Sequence, residues 1–121
     1  MVLDNVAQTL LVDLTYSGLL APTTNAHIHC CAPPGSSAPV IIPFVPPFVT
    51  GATSGSFTST FDLTAMQVSQ IESFQSYINI HTTLFPAGEI RGNIVPEPTT
   101  LTLISAALAG LAVLRYRVKA G

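Results

Sequence analysis

The chain has 121 residues, of which 48% are hydrophobic and only 8% are charged, and its net charge is −2 at pH 7. One domain fits this length, and the low charge excludes intrinsic disorder because disordered segments carry the opposite bias. Three of the four basic residues lie in the last seven positions, so the rest of the chain is acidic. An acidic body cannot neutralise a row of phosphates, which excludes nucleic acid as a partner.

The N-terminal segment has the pattern of a β-strand. Apolar side chains recur at every second position from Leu10 to Tyr16, which is the period of a half-buried strand. Residues 1–20 contain no basic residue and two aspartates, so they lack the features of a secretory signal peptide. We therefore expect one of three situations: a true start that lies upstream, a truncated remnant, or a protein that is never exported.

The segment Asn25–Cys30 is predicted to be a second strand. Its apolar side chains face one side of the sheet, and His27 and His29 face the other. Cys30 is followed directly by Cys31, and neighbouring cysteines cannot join distant parts of a fold because their Cα atoms are only ~3.8 Å apart. Three interpretations of this pair stay open: a disulfide between neighbours, a soft metal ligand beside His29, and two inert residues in a turn.

Two more strands and a helix follow. An apolar strand covers Val40-Ile41-Ile42, and the prolines around it keep it from lying in the middle of a sheet. The next strand, Ser56–Leu63, alternates apolar and polar residues. Thr64 and Gln67 form a capping box that begins the helix, and an apolar stripe at helical spacing follows. The stripe consists of Ala65, Val68, Ile71 and Phe74.

A hairpin is predicted to close the domain. Its strands are Tyr77–Thr83 and Glu89–Val95, and Phe85-Pro86-Ala87-Gly88 forms the turn. About six short strands separated by turn signals indicate a small antiparallel β-sandwich with one short helix. We therefore expect a mainly-β domain over residues 1–95.

A set of ordered motifs runs through these elements. They are Ala26-His27-Ile28-His29, Ala32-Pro33-Pro34-Gly35, Ser56–Thr64 running into Ala65-x-Gln67-Val68, Asn79-Ile80-His81-Thr82 and Phe85-Pro86-Ala87-Gly88-Glu89-Ile90-Arg91-Gly92. Together they resemble the CHRD domain, a family named for chordin and widespread in bacteria. The resemblance covers about Thr9 to Val95. We expect the sandwich to have Greek-key, immunoglobulin-like or superoxide-dismutase-like architecture. Family members usually begin with one or two more strands upstream of Leu10, which predicts that one sheet edge is open here or that the core is incomplete.

The last part of the chain, residues 96–121, differs in composition from the domain. Residues 101–114 are almost wholly apolar, and a helix over 99–114 is about 24 Å long at ~1.5 Å per residue. This is shorter than the ~30 Å hydrocarbon core of a bilayer, so thinning and snorkelling by the basic end must close the gap. The alternative is a buried core helix. The basic end consists of Arg115, Arg117 and Lys119, and it is expected to stay cytoplasmic.

Val95-Pro96-Glu97-Pro98 precedes the apolar segment and the basic cluster, in an order that resembles the PEP-CTERM sorting signal of bacterial exported proteins. The resemblance implies that Pro96, Glu97 and Pro98 form the sorting motif and that a membrane-embedded exosortase cleaves near it. The protein is then passed to the cell envelope or the extracellular matrix, where exopolysaccharide or envelope proteins are its expected partners. The tail is thus a sorting address as well as a membrane anchor.

Three histidines form a candidate metal site. His27 and His29 share one face of a strand, and His81 lies on another strand, an arrangement that binds Zn or Cu in some β-sandwiches. It resembles the His-x-His strand of copper–zinc superoxide dismutases, although the chain lacks a second His and Asp cluster for a bimetallic site. Glu89, Cys31 or water would be the fourth ligand. The alternative is that the histidines hold loops against the sheet through hydrogen bonds, with no cofactor.

A polar patch is predicted beside this site. Asn79, His81, Glu89 and Arg91 would share the outer face of the hairpin, either as a structural network or as a recognition patch. The sequence contains no nucleophile elbow, phosphate loop or pair of catalytic carboxylates. We therefore expect a non-enzymatic interaction or structural module at the cell surface. The alternatives are a metal-binding domain, with metal-dependent redox activity as its enzymatic form, and a truncated remnant that is not exported.

Overall fold

A computed structural model describes residues 1–46 and 48–99, which form two β-sheets and one short helix. The elements, in chain order, are β1 (Val2–Asp4), β2 (Thr9–Tyr16), β3 (Thr23–His29), β4 (Val40–Pro43), β5 (Gly55–Asp62), α1 (Ala65–Glu72), β6 (Tyr77–Thr82), β7 (Ile90–Asn93) and β8 (Glu97–Pro98). The strand order is β5-β2-β1-β8 in one sheet and β4-β3-β6-β7 in the other. Paired strands are antiparallel except β1 and β8, which are parallel. The prediction of a mainly-β fold with two antiparallel sheets and one short helix is confirmed.

The core lies between the sheets and follows the alternation read from the sequence. In β2, Leu10 and Val12 are fully buried, whereas Leu11 between them is 39% exposed. Both join one apolar cluster with Ile28 and Ile80 of the other sheet. Full burial of such an aliphatic side chain contributes about 1.5–3 kcal/mol to folding. The core therefore uses one face of each sheet and leaves the other face of β3 and β6 to polar side chains.

The helix begins where the sequence predicts and ends before the predicted stripe does. The Thr64 hydroxyl accepts a hydrogen bond from the Gln67 amide at 3.2 Å, and the Gln67 side chain accepts one from the Thr64 amide at 2.9 Å. This capping box is as predicted, and Val68 and Ile71 are buried. Phe74 is not part of the buried stripe, because the helix ends two residues before it. It has a φ of 59° and is 60% exposed.

The sheet edge that was expected to be open is covered by two short strands. β1 pairs with β2, and β8 pairs with β1 through Glu97 opposite Val2. The Glu97 amide donates a hydrogen bond to the Met1 carbonyl at 3.1 Å. The sheet therefore continues past Val95, where the sequence placed the end of the domain, and the Pro-Glu-Pro motif begins on the sandwich itself.

The predicted membrane segment lies outside this description. Of residues 99–114 only Thr99 is described, and the basic cluster of Arg115, Arg117 and Lys119 falls outside the described residues. Within residues 1–46 and 48–99, no helix is long and apolar enough to cross a bilayer. The membrane helix and its basic end therefore stay predictions.

We expect Leu10→Ala to lower the free energy of unfolding by about 2–5 kcal/mol, because Leu10 is fully buried and its truncation leaves a cavity. Leu20→Ala is the matched control: this side chain is 75% exposed, so the same truncation changes the free energy by less than about 0.5 kcal/mol. Urea denaturation followed by circular dichroism measures both variants. Equal effects would show that Leu10 is not a core residue.

Candidate metal centre

The three histidines of the chain lie together on the outer face of the sheet that contains β3 and β6. His27 and His29 come from β3 and His81 from β6, and one ligand nitrogen of each lies within 4.8 Å of the others. Strand alternation puts these rings on the side opposite to the buried Ala26 and Ile28. The structure therefore brings the three predicted ligands together, and the binding of an ion by them stays a prediction.

Two loop carbonyls orient two of these rings. The Nδ1 atom of His29 lies 2.8 Å from the Ala38 carbonyl oxygen, and the Nδ1 atom of His81 lies 2.8 Å from the Pro86 carbonyl oxygen. A carbonyl oxygen only accepts hydrogen bonds, so in the neutral ring each Nδ1 carries the proton and each Nε2 keeps its lone pair. Histidines that bind metals usually have their second nitrogen held in this way.

The positions of the ring nitrogens suit the binding of one shared metal ion. The Nε2 atom of His29 is buried and has no hydrogen-bond partner among the described residues, a condition that costs about 1–3 kcal/mol for a buried polar atom. The Nε2 atom of His81 lies 3.1 Å from Nδ1 of His27. Two nitrogens that bind one tetrahedral zinc ion at ~2.0–2.1 Å are about 3.3 Å apart, so this spacing fits two ligands of one ion. Without an ion, the His27 Nδ1–H donates to His81.

The surroundings of the cluster favour a neutral His27 ring. Burial lowers the pKa of His27 from its usual value of 6.5, and the neighbouring His81 and His29 lower it further. A metal binds only the neutral imidazole. The lowered pKa therefore keeps His27 in the form that a metal needs at neutral pH.

Tyr77 belongs to the site, although the sequence analysis did not select it. The His29 ring stacks on Tyr77 with ring centres 4.9 Å apart and planes within 5° of parallel. The Tyr77 hydroxyl accepts a hydrogen bond from the Ala38 amide at 2.9 Å, beside the carbonyl that holds His29. The signal was present in the sequence, because alternation along β6 places Tyr77 on the same face as Asn79 and His81.

Asn79 and Arg91 of the predicted polar patch lie beside the histidines. The Asn79 amide donates a hydrogen bond to the Ala87 carbonyl at 3.1 Å, and the Arg91 guanidinium donates one to the Ser36 carbonyl. The guanidinium carbon of Arg91 also lies 3.4 Å from the centre of the Tyr77 ring, the position of a cation–π contact. Both side chains thus hold loops or rings in place around the cluster.

Glu89 lies apart from this patch, which corrects its predicted place. Its carboxylate accepts hydrogen bonds from the Thr82 hydroxyl at 2.7 Å and from the Leu20 amide. Thr82 is fully buried, on the core side of β6. The alternation on which the prediction relied ends at Ile90, where β7 begins, so Glu89 turns toward the core side instead.

Cys30 and Cys31 form a disulfide with each other, and the peptide bond between them is cis. Of the three interpretations of the pair, the structure has the disulfide between neighbours. Neither sulfur is a thiolate in this state, so Cys31 does not act as the fourth metal ligand.

Comparison with known proteins identifies two parts of the chain. A family model described as the CHRD domain matches residues 1–94, and a model described as the PEP-CTERM protein-sorting motif matches residues 95–118. No curated protein and no solved structure matches the chain. The two family matches follow one another in the order that the sequence motifs predict.

We expect the metal-free protein to lose stability as the pH falls below about 6.5, because His27 takes up a proton more readily in the unfolded chain. The pKa of His27 is lower in the folded state, so its contribution is present above the unfolded pKa and is lost as the pH falls through the folded pKa. His27→Gln should remove this part of the decline. Thermal unfolding of both EDTA-treated proteins across this range measures it, and identical declines would contradict the prediction.

Proposed function

The chain belongs to the CHRD domain family, and because it continues into a PEP-CTERM motif, we propose that it is a cell-surface or extracellular-matrix protein. The sorting motif implies export, association with the envelope and processing by exosortase-type machinery. The match of residues 95–118, directly after the domain, is the observation that carries the proposal. We assign the β-sandwich a non-enzymatic role as an interaction or structural module.

The composition of the tail supports a transient membrane anchor in this proposal. Residues 101–114 carry no charge, whereas Arg115, Arg117 and Lys119 follow directly. An apolar segment of this kind favours lipid, and a basic cluster at its end favours the cytoplasmic side. The sandwich then lies on the outer side, where envelope proteins or exopolysaccharide are its partners after cleavage.

We expect Glu97→Gln to slow processing about tenfold or more in cells that contain an exosortase. In this proposal the exosortase donates a hydrogen bond to the Glu97 carboxylate, and a hydrogen bond to a charged group contributes about 1.5–3 kcal/mol. The unprocessed precursor is measured by mass spectrometry. Glu72→Gln is the matched control, since Glu72 is also an exposed acid but lies in the helix, and its processing should be unchanged. Wild-type processing of the Glu97 variant would contradict the assigned role of the motif.

The same experiment tests the surface role. After cleavage, the sandwich should remain with the envelope or matrix fraction of the cells. If the processed domain occurs only as free protein in the medium, the surface or matrix role is wrong, whereas the sorting role stands.

A second candidate function is the binding of one zinc or copper ion by His27, His29 and His81. The buried, unpartnered Nε2 atom of His29 is the observation that favours it, and the two carbonyls that fix the ring orientations support it. Neutral imidazole nitrogens suit both metals. With copper, the site would also be able to support metal-dependent redox activity.

We expect the full chain to bind one Zn or Cu ion, and His29→Ala to weaken binding about 100-fold or more, because even the loss of an outer-shell partner costs 10–100-fold. The full chain is used because β8 extends the sheet past residue 95. Thr24→Ala is the control, since Thr24 is exposed on the same strand outside the cluster. Calorimetric titration and elemental analysis measure the stoichiometry. A folded protein that stays metal-free would contradict this function. The role of the histidines would then be to hold the loops against the sheet through hydrogen bonds.

A further inference from the structure

We infer that an ion held by the three histidines keeps a fourth coordination position open and that this position takes a small anion. The inference rests on the proposed metal-binding function and adds the class of external ligand to it. Structural zinc sites fill four positions with protein groups, whereas sites that act on external ligands leave one for water or a substrate. The donor groups around the cluster decide between these two kinds of site.

Within the described residues, the cluster contains three histidines and no Cys, Asp or Glu as a fourth donor. Glu89 is held elsewhere by the Thr82 hydroxyl and the Leu20 amide. Cys31 shares a disulfide with Cys30, and it is the thiolate, not the oxidised sulfur, that binds a metal. Both protein groups that the sequence offered as a fourth ligand are therefore committed to other bonds. In this inference, the fourth donor is therefore an external ligand.

Two of the three rings around the fourth position reach the solvent, whereas His29 is buried. The rings lie on the outer face of the sheet, and His27 and His81 are partly exposed. Beneath them, the core-facing Ala26, Ile28 and Ile80 are at most 1% exposed. The protein thus closes the site on the core side, and a small molecule approaches from the opposite side.

The charge balance favours an anion as this external ligand. Three neutral imidazoles leave both charges of a divalent ion uncompensated. A further positive charge lies near, because the Arg91 guanidinium packs on the Tyr77 ring, which in turn stacks on His29. Electrostatic attraction is stronger at a partly buried site than in bulk water. The site therefore favours hydroxide, azide or a small carboxylate over a neutral donor.

Cobalt(II) reports on this position because, unlike zinc, it absorbs visible light in a way that depends on its ligands. The full-length chain is loaded with one equivalent of cobalt(II) under non-reducing conditions and titrated with azide. We expect one saturable change in the visible spectrum. Arg91→Gln should weaken azide binding about two- to fivefold while cobalt still binds, as expected for the loss of a nearby surface charge.

Glu89→Gln is the control for a hidden fourth ligand, and it should leave the affinity for azide unchanged. If cobalt(II) does not bind at all, the metal-binding function and this inference both fail. If cobalt(II) binds but azide leaves its spectrum unchanged, the site is closed and only the inference fails. An azide response that appears only in the Glu89 variant would identify Glu89 as the fourth ligand and overturn the open position. An azide affinity that does not depend on Arg91 would overturn its part in anion binding.

Discussion

His27 and His81 are 54 positions apart in sequence, and the antiparallel pairing of β3 with β6 brings Nδ1 of His27 to 3.1 Å from Nε2 of His81. On the core side, the same pairing sets Ala26 opposite Ile80, and both are buried between the sheets. A shift of the register by one residue would exchange the two faces of the strand. Apolar burial on one face therefore fixes the positions of the polar rings on the other, and the histidine cluster depends on the hydrophobic core.

Two proline-containing loops complete the cluster through their backbone carbonyls. The turn that contains Pro86 can approach β6 closely because Gly88 has a φ of 120° and a Cβ there would collide with the Asn79 amide. This approach lets the Pro86 carbonyl reach His81. The same hydrogen bonds hold the loops to the sheet and fix the tautomers that a metal requires. Structural and metal-binding interpretations of the histidines therefore share one set of contacts and differ only in what the free nitrogens bind.

Features with a strong local signal could be predicted from the sequence. The alternation in β2, the capping box at Thr64 and the common face of the β3 histidines all follow from residues that are close together in the chain. The rest depends on distant contacts that carry no local signal. β1 has only three residues, and its partner β8 lies at the other end of the domain. The position of Glu89 depends on the buried Thr82 hydroxyl, which short-range alternation does not reveal.

The parallel pairing of β8 with β1 places Glu97 and Pro98 in the same sheet as the body of the domain. A peptidase that takes the Pro-Glu-Pro triplet as an extended substrate competes with β1 for the Glu97 amide, which already donates to the Met1 carbonyl. A cut beyond Pro98 leaves the last strand in place, whereas a cut before Pro96 bares the backbone of β1. A bare strand edge is a template for the addition of another chain. The position of the cut thus sets whether β8 or β1 is the outermost strand on this side of the sheet.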